Sequence, residues 1–150
     1  MALSRDLREF IELLNSHEVE FLVVGAHALA YHGLPRYTKD IDLFIATSKP
    51  NAAALFKAVE EFGFGSTGLK EEDFLATDVV IQLGVEPNRI DLLTGLSGIE
   101  WEEAWEDRVQ GTLDGLPVAF ISKDCFIKNK LASARPQDIA DVARLRKIDP

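Results

Sequence analysis

The sequence predicts one α/β domain over residues 1–150, with a mixed β-sheet flanked by helices. Short apolar runs rich in β-branched residues alternate along the chain with segments in which apolar residues recur every three or four positions. Two pairs of strand-like runs are joined by short turns, which is typical of antiparallel neighbours. The apolar fraction of 47% and the charged fraction of 27% are those of a globular protein.

The first half of the chain is expected to alternate between helix and strand. Ser4 is a suitable N-cap for an amphipathic helix. The apolar run of the first strand stops at Gly25, where a short helix opens. Helices are predicted at residues 4–17, 26–32 and 52–62, and strands at residues 19–24 and 40–46.

The second half is expected to contribute two hairpins and two terminal helices. A loop over residues 63–68 precedes them, and Asp114-Gly115 is a typical hairpin turn. Strands are predicted at residues 79–85 and 89–93 around a turn at 86–88, a hairpin at 110–121, and helices at 101–106, 123–133 and 137–147.

Charge and cysteine content limit the classes of partner and compartment. A net charge of -9 is poorly suited to broad binding of nucleic acid, which needs a basic face. Small anionic ligands remain accessible where metal ions or local Lys and Arg residues reverse the field. No apolar run approaches the ~20 residues that cross a bilayer, and no secretory signal is expected. With Cys125 as the only cysteine, a reducing compartment, the cytoplasm, is expected.

A glycine stands between the first predicted strand and the short helix that follows it. Gly25 would let the backbone approach a ligand closely, and the exposed amide groups of a helix start attract phosphate. A glycine in this position is a simple turn about as often as it is a phosphate site, so this signal is weak when it stands alone.

Two acids, Asp40 and Asp42, are placed two residues apart on the second predicted strand. Residues two apart point to the same side of a strand, so both carboxylates would project together while Ile41 and Leu43 face the core. Like charges held side by side are unfavourable unless a cation neutralises them, and carboxylates suit Mg²⁺ or Mn²⁺. The alternative is a solvated strand start with two surface acids.

A third acid, Asp91, interrupts an otherwise apolar strand-like run. Aspartate is depleted in strands and is rarely buried without a partner. Beside Asp40 and Asp42, it would complete a triad able to hold two metal ions about 3.5–4 Å apart, an arrangement that serves phosphoryl or nucleotidyl transfer.

Polar residues around these acids have both functional and structural interpretations. Arg36 and Lys39 could contact phosphate oxygens, or could be solvated loop charges. Thr38 could support the strand, and His27 adjoins Gly25 but is more often structural in such a position.

The C-terminal helices carry the one clear basic cluster, which could contact a nucleotide or an RNA end. Lys130 is its favoured member, whereas a run of charges is often simply a solvated helix face. Asp138 and Asp141 could orient Lys130 and Arg135 rather than bind metal.

Taken together, these segments resemble the nucleotidyltransferase superfamily that includes DNA polymerase β and the minimal nucleotidyltransferases. The similarity is greater to the AbiEii-type group of bacterial toxin-like nucleotidyltransferases. Residues 24–42, 89–95 and 130–138 carry the resemblance, which extends over roughly residues 19–147. The combination is specific for the fold and much less so for the substrate.

The resemblance implies a role for each matching position. Gly25 would lie against the triphosphate of an NTP, Asp40 and Asp42 would be metal ligands, and Asp91 would be a ligand or the general base. Lys130 and Asp138 fall on the C-terminal motif of the family, where the lysine is expected near the nucleotide phosphates. Ala26 and His27 are predicted to bind the nucleotide together with Gly25, Arg36, Lys39 and Lys130, although they stand where many members have a second Gly or a Ser that can hydrogen-bond a phosphate.

Two functions from different classes follow. The first is an enzyme that uses Mg²⁺ or Mn²⁺, with two ions expected, to transfer a nucleoside monophosphate from an NTP to a hydroxyl of an RNA end, a protein or a small molecule. A toxin–antitoxin or defence context fits that resemblance. The second is a non-catalytic or weakly catalytic partner of a cognate antitoxin or other protein, which the short chain and the acidic charge would suit. A plain structural domain would leave the coincidence of three acids unexplained.

Overall fold

A computed structural model of the chain describes residues 3–38, 40–64, 68–85 and 87–148. The helices of this part are α1 (Arg5–Ser16), α2 (Gly25–Tyr31), α3 (Lys49–Val59), α4 (Trp101–Glu106), α5 (Lys123–Ser133) and α6 (Pro136–Ile148). Its strands are β1 (Phe21–Val24), β2 (Ile41–Ile45), β3 (Val80–Leu83), β4 (Ile90–Leu93), β5 (Val109–Leu113) and β6 (Leu116–Phe120). A π-helical turn, Glu60–Phe64, continues α3, and a 3₁₀ turn, Glu71–Phe74, follows it in the chain.

The strands form one mixed sheet in the order β3-β4-β2-β1-β6-β5. Strand β1 runs antiparallel to β2 and parallel to β6, and β2 runs parallel to β4. The pairs β3–β4 and β5–β6 are antiparallel, as the short turns predicted. The predicted fold class, an α/β domain with a mixed sheet flanked by helices, is therefore confirmed.

The two central strands are buried except at Asp42, which is partly exposed, because helices cover them. All four residues of β1 are buried, and in β2 both Ile41 and Leu43 are 0% exposed. Helix α1 contributes Phe10, Ile11 and Leu14, none of which is exposed to solvent. Spacings of one, three and four residues place these three side chains on one face of the helix, which explains the predicted period.

A buried asparagine holds α3 against the adjoining ends of β1 and β2. The Asn51 side-chain amide donates to the carbonyl oxygens of Ala46, at 2.8 Å, and Glu20, at 3.0 Å. Its side-chain oxygen accepts from the Glu20 amide at 2.6 Å. One side chain thereby pairs with the Glu20 amide and the Ala46 carbonyl, and it gives a second hydrogen bond to the Glu20 carbonyl, which also accepts from the Ala46 amide at 3.4 Å.

Several element boundaries differ from those predicted. Strand β1 begins at Phe21 rather than at residue 19, because Glu18 takes a left-handed conformation (φ 55°) and the Val19 amide still bonds to the end of α1. Helix α2 begins at Gly25 itself, and β2 begins one residue after Asp40. The loop predicted at 63–68 and the turn at 86–88 include residues 65–67 and 86, which lie outside the described residues.

The C-terminal pair of helices follows the predicted break. The hydroxyl of Ser122 caps α5, and Ala134 ends it in a left-handed conformation (φ 54°). Helix α6 then begins at Pro136, whose missing N–H costs nothing at a first helical position. In the part of the chain that the structure describes, no helix combines the length and the apolar character needed to cross a bilayer.

Candidate active site

The register of two parallel strands brings two of the predicted acids side by side. Strand β2 pairs with β4 so that Asp42 lies opposite Asp91, while Ile41 pairs with Ile90 and Leu43 with Leu92. These four apolar residues are at most 1% exposed. Because the side chains of a strand alternate between its two faces, the acids lie on the face away from these apolar residues.

The glycine at the start of α2 lies directly against one of these carboxylates. Gly25 has a left-handed backbone (φ 66°), and a Cβ atom built on it would lie 2.1 Å from Oδ2 of Asp42. Any larger residue would therefore be strained and would also displace the carboxylate. The glycine that the sequence singled out is required for the approach of α2 to Asp42.

Asp42 has an unusual tendency to hold a proton. Burial makes the largest contribution to a pKa raised from 3.8 to about 7; the charge of Asp91, a hydrogen-bonding contact with Asp91 and the charge of Asp40 contribute in the same direction, and the charge of Lys130 opposes them. At neutral pH any cation that neutralises this cluster stabilises the folded protein, because ionised carboxylates repel one another.

An arginine that the sequence analysis did not single out bridges the other two acids. Nη2 of Arg89 lies 2.9 Å from Oδ2 of Asp40 and donates to Oδ2 of Asp91 at 3.2 Å. Its Nε lies 3.1 Å from Oδ1 of Asp91. Arg89 and Asp91 are two residues apart, like Asp40 and Asp42, so strand alternation already predicted that their side chains lie on the same face.

The donor chemistry of the cluster fits a divalent cation. Oδ1 of Asp40 is buried and accepts no hydrogen bond within the described residues, and buried Oδ1 of Asp91 has only the ion-pair contact with Nε of Arg89 at 3.1 Å. Buried acceptors without a donor are costly, and hard oxygen ligands suit Mg²⁺ or Mn²⁺. No three His, Cys, Asp or Glu side chains in this part of the chain are already arranged as a coordination shell. Since the Arg89 guanidinium contacts both Asp40 and Asp91, a cation bound there would take its place.

Beside Asp42 opens a cleft of about 190 Å³ that combines residues of α2, α5 and α6. Its lining residues are Gly25, Ala26, Leu29, Arg36, Asp42, Phe126, Lys130, Arg135, Gln137, Asp138 and Asp141. The cleft therefore contains most of the residues that the sequence predicted for nucleotide binding.

One buried acid on α6 holds two cations of this cleft. Asp138 accepts from Nε of Arg135 at 2.8 Å and from the Ser133 hydroxyl at 2.8 Å. Nζ of Lys130 lies 3.9 Å from Oδ1 of Asp138 and 5.3 Å from the centre of the Phe126 ring. The Arg135 hydrogen bond lowers the pKa of Asp138 to about 2, with smaller contributions in the same direction from Ser133 and Lys130.

A second acid on α6 holds the arginine on the other side of the cleft. Asp141 accepts two hydrogen bonds from the guanidinium of Arg36, at 3.0 and 2.6 Å, and one from Gln137 at 2.9 Å. The Arg36 hydrogen bonds lower the pKa of Asp141. The sequence predicted that Asp141 could orient Lys130 or Arg135; its hydrogen-bond partners are instead Gln137 and Arg36, which is distant in sequence, and Lys130 acts on it through charge.

The remaining predicted residues occupy other positions. Thr38 exchanges hydrogen bonds with the backbone of Asp40, at 2.9 and 3.1 Å, and so supports the start of β2. His27 is buried with no hydrogen-bond partner at Nδ1 among the described residues, and burial lowers its pKa. It lines a separate cavity of about 180 Å³ with Tyr31 rather than the cleft beside Asp42. The prediction for Lys39 lies outside the described residues.

Comparison with known proteins gives a family and a fold. The model of a family described as "Nucleotidyl transferase of unknown function (DUF2204)" matches residues 3–149. The chain is also similar to the crystal structure of a protein from Thermotoga maritima that is provisionally named a nucleotidyltransferase. The two are 18% identical in sequence, the match covers 95% of this chain and 89% of that one, and the TM-score is 0.57. At this identity the likeness shows the fold alone. No curated protein is significantly similar in sequence.

Proposed function

The chain belongs to the family of nucleotidyltransferases of unknown function, DUF2204, and we propose that it transfers a nucleoside monophosphate from an NTP to a hydroxyl acceptor in a reaction that depends on Mg²⁺ or Mn²⁺. The observation that carries this proposal is the meeting of Asp42 and Asp91 on adjacent parallel strands beside Gly25. Asp40 joins them through the charge that it exerts on Asp42.

The three carboxylates are the groups that would hold the cations. Three chemical features support this assignment: all the donor atoms are oxygens, Oδ1 of Asp40 is buried without a hydrogen bond, and burial and the neighbouring acids oppose the ionisation of Asp42. When bound, Mg²⁺ or Mn²⁺ neutralises charge on phosphate oxygens and lowers the pKa of an attacking hydroxyl. With a cation bound, Asp42 would be ionised, and Asp91 would either bind the cation or accept the hydroxyl proton.

Three cations of the cleft would contact the phosphates of the NTP. Lys130 has a side chain only 18% exposed and is held near Asp138, so its ammonium group has a restricted position. Arg36 and Arg135 each keep hydrogen bonds to an acid of α6, which fixes the direction of their guanidinium planes. Fixed cations of this kind stabilise charge in a transition state without having to reorganise first. Gly25 and Ala26 both line the cleft, so a phosphate bound there would lie close to the backbone at the start of α2.

As the acceptor we propose a protein side chain or a small molecule rather than a long RNA. The net charge is -9, and each of the three cleft cations is already paired with Asp138 or Asp141. Extended nucleic acid needs a run of available cations to release its counterions. A toxin–antitoxin or defence role of the AbiEii type, in the cytoplasm, is the biological context that we propose.

The test is transfer of label from each of four α-labelled NTPs, with Mg²⁺ or with EDTA, to pools of RNA, protein and small molecules. Asp42→Asn should lose at least about a hundredfold of the activity, as expected when a group that stabilises developing charge is removed. The control is Glu72→Gln, which removes one exposed charge at a residue that does not line the cleft; this variant should retain activity. Absence of any Mg²⁺-dependent transfer to all three pools would refute the proposal.

The bridge made by Arg89 favours a second candidate, a weakly catalytic or non-catalytic protein that acts by binding a partner such as an antitoxin. A guanidinium that already neutralises Asp40 and Asp91 removes part of the need for a metal ion. Under this alternative, a tagged chain should recover one stoichiometric protein from its native host. Recovery should be equal for the wild type and for Asp42→Asn, and recovery of the free chain alone would exclude this candidate.

A further inference from the structure

The arginine that precedes β4 has a backbone held by the sheet and a side chain at the margin of the acidic cluster. The Arg89 carbonyl oxygen accepts from the Ile41 amide at 3.1 Å, which ties its backbone to the start of β2. Its side chain is 32% exposed, whereas those of Asp40 and Asp91 are 15% and 12% exposed. About a third of the Arg89 side chain is thus open to solvent, whereas the two acids that it contacts are more enclosed.

The atoms that Arg89 contacts are those that a metal ion would need. The guanidinium contacts both oxygens of Asp91 and Oδ2 of Asp40. A planar guanidinium and a compact dication cannot occupy the same oxygens, and each would repel the other. In the protein without metal, Arg89 supplies the positive charge that keeps acids from two adjacent strands together.

We propose that Arg89 is a resident counter-ion of the three-aspartate cluster, which a divalent cation must displace before it binds, so that this side chain lowers the affinity of the site for metal. The inference rests on the metal dependence of the proposed function. It gives Arg89 a role opposite to that of a supporting residue: a tether that only positions the acids would raise the metal affinity, whereas a competing cation lowers it.

The experiment measures Mn²⁺ binding by the electron paramagnetic resonance signal of the free ion, at pH 8 and without nucleotide. Arg89→Met removes the charge but keeps the length of the side chain. Arg5→Met is the matched control, because Arg5 is an exposed arginine that pairs with Glu9 on α1 and its loss changes the net charge equally. Arg89→Met should bind Mn²⁺ about tenfold more tightly than the wild type, a change within the usual range of coupling between two binding events. Arg5→Met should equal the wild type, and Asp91→Asn should bind much more weakly.

A conservative variant keeps the test decisive if Arg89→Met does not fold without metal. Arg89→Lys retains the charge but loses the planar fork that spans two carboxylates, so its affinity should lie between those of the wild type and Arg89→Met. An affinity of either Arg89 variant equal to or below that of Arg5→Met would overturn the inference.

The outcomes also separate the inference from the proposed function. Equal Mn²⁺ binding by all arginine variants, lost in Asp91→Asn, would leave the metal site standing and would refute the role of Arg89 alone. No Mn²⁺ binding by any variant would refute both the metal dependence and the competition.

Discussion

Replacing Asp42 by asparagine should stabilise the metal-free protein at pH 8 while it removes cation binding and transfer. Asparagine has nearly the same shape, so it fits beside Gly25, but it carries no charge. The pKa of Asp42 is raised in the folded state from 3.8 to about 7. Ionisation of Asp42 therefore lowers the stability of the folded protein. This loss of stability is absent below pH 3.8, grows as the pH rises towards 7, and is complete above pH 7.

The magnitude comes from the same pKa values. At about 1.4 kcal/mol per pH unit, the rise from 3.8 to about 7 corresponds to about 4 kcal/mol of lost stability. Asp91 shares this repulsion, and asparagine keeps part of the cost of burying a polar group. We therefore expect Asp42→Asn to gain about 1–3 kcal/mol above pH 7.

The assay is urea unfolding followed by circular dichroism, in EDTA and in Mg²⁺, at pH values from 4.5 to 8.5. In EDTA the advantage of Asp42→Asn over the wild type should increase with pH, and Glu72→Gln should stay within about 0.5 kcal/mol of the wild type. Added Mg²⁺ should stabilise the wild type more at pH 8 than at pH 5 and should leave Asp42→Asn unchanged. An Asp42→Asn variant no more stable than the wild type at pH 8 in EDTA would refute this reasoning.

Three further substitutions test other parts of the structure. Gly25→Ala should cost about 1–3 kcal/mol through its left-handed backbone and its clash with Asp42, and should lower kcat for transfer; unchanged stability measured by urea unfolding would contradict the tight approach of α2. Asp138→Asn should lower the stability by about 1–3 kcal/mol at pH 7. The lowered pKa of Asp138 stabilises the fold above pH 3.8, and this stabilisation is lost as the pH falls towards 2. A loss of stability that is the same at pH 7 and pH 2.5 would count against the ion pairs. Asn51→Ala should cost about 2–4 kcal/mol by leaving buried backbone groups without partners, and thermal unfolding with an unaltered melting temperature would exclude this role.

The parts of the site that follow from local rules were predictable from the sequence. Strand alternation relates Asp40 to Asp42, and the glycine between strand and helix marks Gly25. Both signals depend on residues a few positions apart, where backbone geometry is nearly fixed by residue type. The same holds for helix α1, whose apolar period is strong enough to be read without knowledge of its neighbours.

The parts that depend on long-range pairing were not predictable in this way. The register that sets Asp42 opposite Asp91 is decided by which strands are adjacent, and the pairing of Arg36 with Asp141 by how α6 packs. Glu71–Phe74 was missed because a single 3₁₀ turn is too short to carry a period. The start of β1 was misplaced because Glu18 adopts a left-handed conformation without a glycine to signal it.

The parallel pairing of β2 with β4 has a consequence for the order in which the chain folds. Strands β1 and β2, with α2 between them, form a local unit that already contains Gly25 and Asp42. Asp91 joins only when β4 pairs with β2 across a long intervening segment, and pairings between distant segments are slow because the loop must first be closed. A cation that needs all of the carboxylates therefore has nothing to bind early in folding. It would act on the completed sheet, slowing its opening while the rate of refolding stays the same.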